Sequence, residues 1–228
     1  MLPKEKPKVP QAIQLTLNLN ITQSYLPEDF IVSECNQEAF NYISNWPKWH
    51  SHCCIIYGPT GSGKTHLANV WHYYNNAITV SLNDLKDVNL DKFCTHNKAI
   101  ILDDDDINGH EELLFHLYNT AKELGSNILI LLKTNVASQK IKLADLSSRL
   151  MSSPQFKMDL PDDQMVHMLI MKHLVDCQLP TDDKLIGYIA QRVPRSYQEI
   201  IEFVHKLSQD LESKKAKLTI ASIKAFIG

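Results

Sequence analysis

The 228-residue sequence predicts an α/β domain built on a five-stranded parallel sheet, followed by a small all-helical lid. Three observations predict this. Five short apolar runs alternate with stretches of helical periodicity, the pattern of parallel strands covered on both faces. A glycine-rich turn joins the first apolar run to the helix after it. Past Pro161 the strand signals stop and only helical periodicity continues.

The elements follow in order. Residues 1–24 are rich in Pro, Lys, Gln and Asn and read as a mobile tail. Within it Gln14, Leu15, Thr16, Leu17, Asn18 and Leu19 alternate polar and apolar. That pattern suits either an edge strand or a linear motif for a partner's apolar pocket. Residues 25–160 form the α/β domain. It begins with a helix over 36–46, with Ala39, Phe40 and Ile43 on one face. A buried strand over 52–57 runs into the glycine turn, and the next helix puts Leu67, Val70 and Trp71 on one face. Strands are expected over 77–81, 99–103, 127–132 and 156–160, with a helix over 111–124.

Residues 161–228 form the lid, with four helices. The first runs from Pro161 to about 175, with proline at an early helical position. The second covers 181–192. The third opens on a Ser196-x-x-Glu199 capping box and shares Tyr197, Ile200, Ile201 and Val204 on one face. The fourth covers 219–227.

Composition narrows the function classes. A 44% hydrophobic content is ordinary for a globular chain. A net charge of −3 without a basic stripe argues against a dedicated nucleic-acid binder. Lys4, Lys6 and Lys8, and Lys214, Lys215 and Lys217, read as solvated. Cys35, Cys53, Cys54, Cys94 and Cys177 are odd in number and form no C-x-x-C pair, so all read as reduced packing residues of a cytoplasmic protein. Cys53 and Cys54, adjacent in a strand, face opposite ways. Neither His50 with His52 nor His110 with His116 has a usual metal-ligand pattern. No signal-peptide core and no 18-residue apolar stretch occurs, so the expectation is a soluble chain without a membrane segment.

The chemistry centres on Gly58-x-x-x-x-Gly63-Lys64-Thr65, a complete phosphate-binding loop. Backbone N–H groups of such a turn close around a phosphate, and the following helix offers its unpaired N–H groups and positive dipole end. Lys64 can reach the β- and γ-phosphates, and the Thr65 hydroxyl can ligate Mg²⁺. The implied ligand is ADP or ATP with Mg²⁺. The partner half of such a site is an acidic strand end, and Asp103 to Asp106 follow an apolar run. Asp103 would hold Mg²⁺ and Asp104 would polarise an attacking water, while Asp105 and Asp106 read as solvated or capping. A one-residue shift of this register, or a surface acidic turn, stays open. Arg149 has two readings: a helix C-terminal cation, or a finger aimed at a neighbouring subunit's γ-phosphate.

Together these residues resemble the DnaA-like branch of the AAA+ ATPases, from about residue 14 to residue 228. Glu28, Asp29, Phe30, Ile31 and Val32, followed by Asn36 and Ala39, are similar to the segment that packs beside the adenine. Gly58, Thr60, Gly61, Ser62, Gly63, Lys64, Thr65 and His66 cover Walker A, and Asp103 and Asp104 match Walker B. Phe115 to Asn119 is similar to the helix after it, Thr134 and Asn135 stand where sensor 1 is expected, and Ser148-Arg149 matches the arginine-finger box. The lid start, Leu160-Pro161-Asp162, is similar too. The family's sensor 2 arginine aligns with Gln198, or with Arg195 if the register slips by three. A neutral amide does not counter phosphate charge as arginine does.

Two features set the chain beside the short members of the branch. The helix-turn-helix domain of full-length initiators has no counterpart in these residues. Gln14, Leu15, Leu17 and Leu19 are similar to a Gln-Leu-x-Leu-Pro-Leu peptide that binds the DNA polymerase III sliding clamp, with Asn18 where proline is expected. The resemblance implies an AAA+ P-loop NTPase fold. It implies Asp104, Asn135 and Arg149 in catalytic roles, and weak intrinsic hydrolysis at most. It implies the DnaA initiator and the sliding clamp as partners, a homodimer or AAA+ hetero-oligomer, and no strong direct DNA binding. The implied role is negative regulation of replication initiation, with Arg149 offered to ATP held by DnaA. The rival expectations are a helicase-loader-like or single-strand-DNA-binding AAA+ ATPase, which would need an aromatic and basic groove, and a free-standing P-loop kinase.

Overall fold

The computed structural model describes residues 27–104 and 107–228. The tail segment with Gln14, Leu15, Leu17 and Leu19 lies outside the described residues, as do Asp105 and Asp106. The elements run α1 (Gln37–Ser44), β1 (Cys53–Tyr57), α2 (Lys64–Asn75), β2 (Ile78–Val80), α3 (Leu90–His96), β3 (Ala99–Asp103) and α4 (Glu111–Leu124). They continue with β4 (Asn127–Leu132), α5 (Ala144–Ser152), β5 (Gln155–Lys157), α6 (Asp163–Asp176), α7 (Asp183–Ala190), α8 (Tyr197–Ser213) and α9 (Ile220–Ile227).

The five strands form one parallel sheet, as the alternation of apolar runs and helices predicts, and their order is β2-β3-β4-β1-β5. The central strands are apolar along their buried lengths because helices cover both faces. On one face Cys53, Ile55, Ile100, Leu102 and Ile130 pack under α3, α4 and α5. On the other Cys54, Ile56, Ile101 and Leu131 pack under α1 and α2 through Ala39, Ile43, Leu67, Val70 and Trp71. Cys53 and Cys54 therefore face opposite layers, and all five cysteines are free thiols. A third core, with Leu169, Ile186, Val204, Leu207 and Ile223, joins α6 to α9. No helix among the described residues is long and apolar enough to cross a membrane.

Several local expectations are corrected. β5 starts at Gln155 and ends at Lys157 instead of running to 160. Beyond it the Asp159 amide turns away to donate to the Cys35 carbonyl (3.2 Å), which leads the chain toward the lid. β2 ends at Val80 because the Asp84 carboxylate takes the Ser81 amide and hydroxyl (2.9 and 2.7 Å). Pro161 stands outside α6, whose N-cap is Asp162, accepting from the Met165 amide (2.7 Å). The Ser196–Glu199 capping box does not form, for Ser196 makes no side-chain bond to α8. A capping box does form at Thr219 and Ser222, opening α9.

Candidate functional site

A parallel sheet carries the C-terminal ends of all its strands on one edge. That edge receives the loop after β1, the acidic end of β3 and the turn after β4. Gly58 opens the loop, and its amide donates to the Leu132 carbonyl at 3.1 Å. A Cβ on Gly58 would lie 2.0 Å from the Met158 carbonyl oxygen, so only glycine lets the loop leave between β4 and β5. Gly61 turns the loop tip at φ +82°, a left-handed conformation that glycine adopts without penalty. Thr60 is exposed beside it. Gly63 caps α2 and carries the chain into Lys64.

Lys64 is buried and points back into the loop, donating to the Gly58 and Pro59 carbonyls at 2.7 and 3.0 Å. An ammonium placed inside a ring of backbone groups makes the loop electropositive where an anion would sit. Ser62 is fully buried with a hydroxyl that has no hydrogen-bond partner among the described residues. Leaving such a group unpaired costs about 1–3 kcal/mol, so the loop holds an unmet polar demand. The Thr65 hydroxyl donates to the Asp103 carboxylate at 3.3 Å. A hydroxyl and an exposed strand-end carboxylate beside a phosphate loop are an oxygen donor set, which suits Mg²⁺ with its retained waters. The residues present thus fit a Mg²⁺-nucleotide, which Gly58 to Thr65 and Asp103 would hold.

Other candidate residues are placed differently. The Asp104 carboxylate accepts from the Leu82 amide at 2.7 Å and ties β3 to the turn after β2. Asn135 caps a short 3-10 turn, accepting from the Ser138 amide and hydroxyl at 2.9 and 2.7 Å. Phe30 is buried, stacked on Phe40 at 5.5 Å and met edge-on by His66 at 5.2 Å, while Val32 beside it is half-buried. Gln198 is exposed and donates to Glu202 one turn along α8 (2.8 Å), and Arg195 pairs with Asp163 at the start of α6.

Arg149 lies in the last turn of α5. Its guanidinium stands 4.8 Å above the Phe115 ring and donates to the Asn119 side chain. Tyr118 on the same helix packs against His52, the residue before β1, with ring centroids 4.3 Å apart. Burial lowers the His52 pKa, with Lys122 and Arg149 adding to the shift. Arg149 therefore sits at the N-terminal edge of the sheet. The phosphate loop follows the other end of β1, opening at Gly58.

Residues missed by sequence reasoning join the lid to the loop. The Tyr197 amide donates to the Gly61 carbonyl at 3.0 Å, and the Tyr197 ring lies against Gly63. The Tyr197 hydroxyl receives the Asn36 side-chain amide at 3.0 Å. Tyr197 is an ordinary apolar-face residue of α8 by pattern, and no sequence signal marks it as a site residue.

No protein-family model and no curated protein matches the chain. Solved structures do. Domain III of the Thermotoga maritima replication initiation protein DnaA superposes with a TM-score of 0.73 at 20% identity, covering 88% of this chain and 94% of that one. A replication initiator DnaA bound to AMPPCP and single-stranded DNA gives 0.72 at 20% identity, over 86% of this chain and 69% of that one. The Thermotoga maritima RuvB Holliday junction branch migration motor gives 0.68 at 18% identity, over 87% and 69%. The chain has the AAA+ P-loop NTPase fold in its DnaA-like form.

Proposed function

We propose that this chain is an Hda-like regulator of chromosomal replication initiation. It binds ADP or ATP with Mg²⁺ at Gly58 to Thr65, with Asp103 beside the ion. It docks on the DNA polymerase III sliding clamp through Gln14, Leu15, Leu17 and Leu19. It offers Arg149 to ATP held by DnaA, and hydrolysis there turns initiation off. Asp104 and Asn135 are the water-polarising and sensor residues of its own weak hydrolysis, which requires them to leave Leu82 and Ser138. Phe30, Val32 and His66 border the base, and Gln198 stands at the sensor 2 position. The working assembly is an AAA+ hetero-oligomer.

The observation that carries this reading is the place of Arg149. At the sheet edge opposite its own phosphate loop it cannot serve a nucleotide in cis. Stacking on Phe115 and the bond to Asn119 hold the guanidinium in one position, which reduces the ordering cost of a contact in trans. The nucleotide part is supported by the buried Lys64 and the unpaired Ser62 hydroxyl.

The test is phosphate release from ATP bound to DnaA in the presence of clamp loaded on DNA. Arg149→Ala should keep clamp binding and its own nucleotide affinity, and lose stimulation by about 10³-fold or more, as arginine fingers do elsewhere. Near-normal stimulation by the variant defeats the proposal. A second reading, a single-strand-DNA-binding AAA+ protein, is favoured by one observation. Tyr73 and Tyr74 are 60% and 68% exposed at the end of α2, a pair of aromatic faces open to base stacking. Tight single-strand binding lost in Tyr73→Ala and Tyr74→Ala, with no clamp binding, would replace the first reading by the second.

A further inference from the structure

The first turn of α8 reaches the phosphate loop without a charged side chain. The Tyr197 amide bonds the Gly61 carbonyl (3.0 Å), and the Ser196 hydroxyl lies so close to Gly61 that a Cβ there would approach it to 2.5 Å. The Tyr197 ring covers Gly63. Its hydroxyl, buried, receives Asn36 Nδ2 at 3.0 Å and faces the Ile31 carbonyl at 3.3 Å and Met165 Sδ at 3.1 Å. Asn36 is itself 1% exposed and fully used: Nδ2 also donates to the Ile31 carbonyl (2.9 Å) and Oδ1 accepts from the Ser33 amide (3.0 Å). One side chain thus spans the segment before α1, the lid and the loop. Burial also pushes the Tyr197 phenol up, so it keeps its proton and its role as donor.

Both side chains that could carry or mimic a sensor charge are turned elsewhere, Gln198 to Glu202 and Arg195 to Asp163. A charge beside the phosphates would favour a triphosphate over a diphosphate, since Coulomb energy grows with ligand charge. A neutral contact with the loop backbone gives no such preference.

We propose that Tyr197 is the positioning residue of the lid, an uncharged latch that fixes Gly61 and Gly63 of the phosphate loop and itself adds no preference between nucleoside di- and triphosphates. This rests on the reading of Gly58 to Thr65 as a nucleotide site.

Calorimetric titration of the full chain with Mg-ADP and Mg-ATP tests both parts, with Lys64→Ala as the variant that should not bind. Tyr197→Phe keeps the ring and the amide but loses the hydroxyl's bonds. It should weaken ADP and ATP by one common factor, about 2- to 10-fold for neutral hydrogen bonds. Asn36→Ala should do the same, and the double variant should lose less than the two single effects combined, because they share the Asn36–Tyr197 bond. Arg195→Ala should leave the ATP-to-ADP affinity ratio at its wild-type value. A purely structural Tyr197 would lower the melting temperature and leave both affinities unchanged, which overturns the latch. Loss of ATP affinity alone in Arg195→Ala overturns it as well, by showing a charged sensor. Failure of the wild type to bind either nucleotide is a different result: it overturns the phosphate-site reading beneath the latch.

Discussion

Gly58→Ala is the sharpest test of how the loop is built. The added Cβ would lie 2.0 Å from the Met158 carbonyl oxygen and 3.0 Å from its carbon, both backbone atoms. A carbon and an oxygen are comfortable at about 3.3 Å, so the two chains must part by about 1.3 Å. Two ladder bonds brace this point, Met158 amide to Tyr57 carbonyl (2.8 Å) and Gly58 amide to Leu132 carbonyl (3.1 Å). Overpacking costs about 1–3 kcal/mol. Loosening one of the two bonds adds about 1 kcal/mol. The sum is about 2–4 kcal/mol, or a melting temperature lower by about 4–16 °C at this chain length. Gly187→Ala is the control, because that glycine lies inside α7 with nothing within 4 Å of its Cβ. It should be stabilising by about 0.5–1 kcal/mol. Thermal unfolding followed by circular dichroism, with nucleotide titration on the folded variants, measures both. A Gly58→Ala protein that melts within 2 °C of the wild type and binds nucleotide normally would refute the close approach of the two backbones.

Asp103→Asn should weaken Mg²⁺-dependent nucleotide binding more than Asp104→Asn does, because Asp103 faces Thr65 while Asp104 is occupied by Leu82; titrations with and without Mg²⁺ decide, and a larger effect at Asp104 reverses the register. Acid should destabilise the lid through His173. Burial outweighs the Asp176 carboxylate 3.5 Å away and lowers its pKa from 6.5 to about 4. Below pH 6.5 the unfolded chain takes up the proton while the folded chain refuses it until about pH 4, so stability falls across that window. His173→Gln should flatten the slope of unfolding free energy against pH between those values, and an unchanged slope would point to other groups.

Much of the fold was legible because the deciding forces were local. β3, β4 and α4 have the expected bounds, since each is an apolar or periodic run closed by polar residues or a glycine. The edge strands were less legible. Their ends are set by side chains elsewhere, Asp84 at β2 and Cys35 at β5. α3 has seven residues, too few for periodicity to declare it, and rests on the Asn89 cap and the burial of Cys94. Ser196 shows local and tertiary preference in conflict: the spacing to Glu199 suits a capping box, but Ser196 packs on Gly61 instead. The loop from Gly58 to Thr65 was readable as a motif. The second partners of Asp104, Asn135 and Arg149 were not, because Leu82 and Phe115 lie 22 and 34 residues away in sequence and even Ser138 is reached only through the turn it helps to form.

The sheet itself imposes a consequence on assembly. It puts the phosphate loop after the C-terminal end of β1 and Arg149 toward its start, so one copy presents the loop at one edge and a cation at the other. If Arg149 meets a nucleotide in trans, the contact joins two different surfaces and is heterologous. A two-fold dimer brings one surface against itself and does not of itself make that contact. Repeating the contact between identical copies gives a ring or an open filament. Ending it on a different AAA+ subunit gives a defined complex with one finger and one served site. A homodimer of this chain would therefore use another surface or hold Arg149 away from its target, and mixing with DnaA should dissociate such a dimer in the second case and leave it intact in the first.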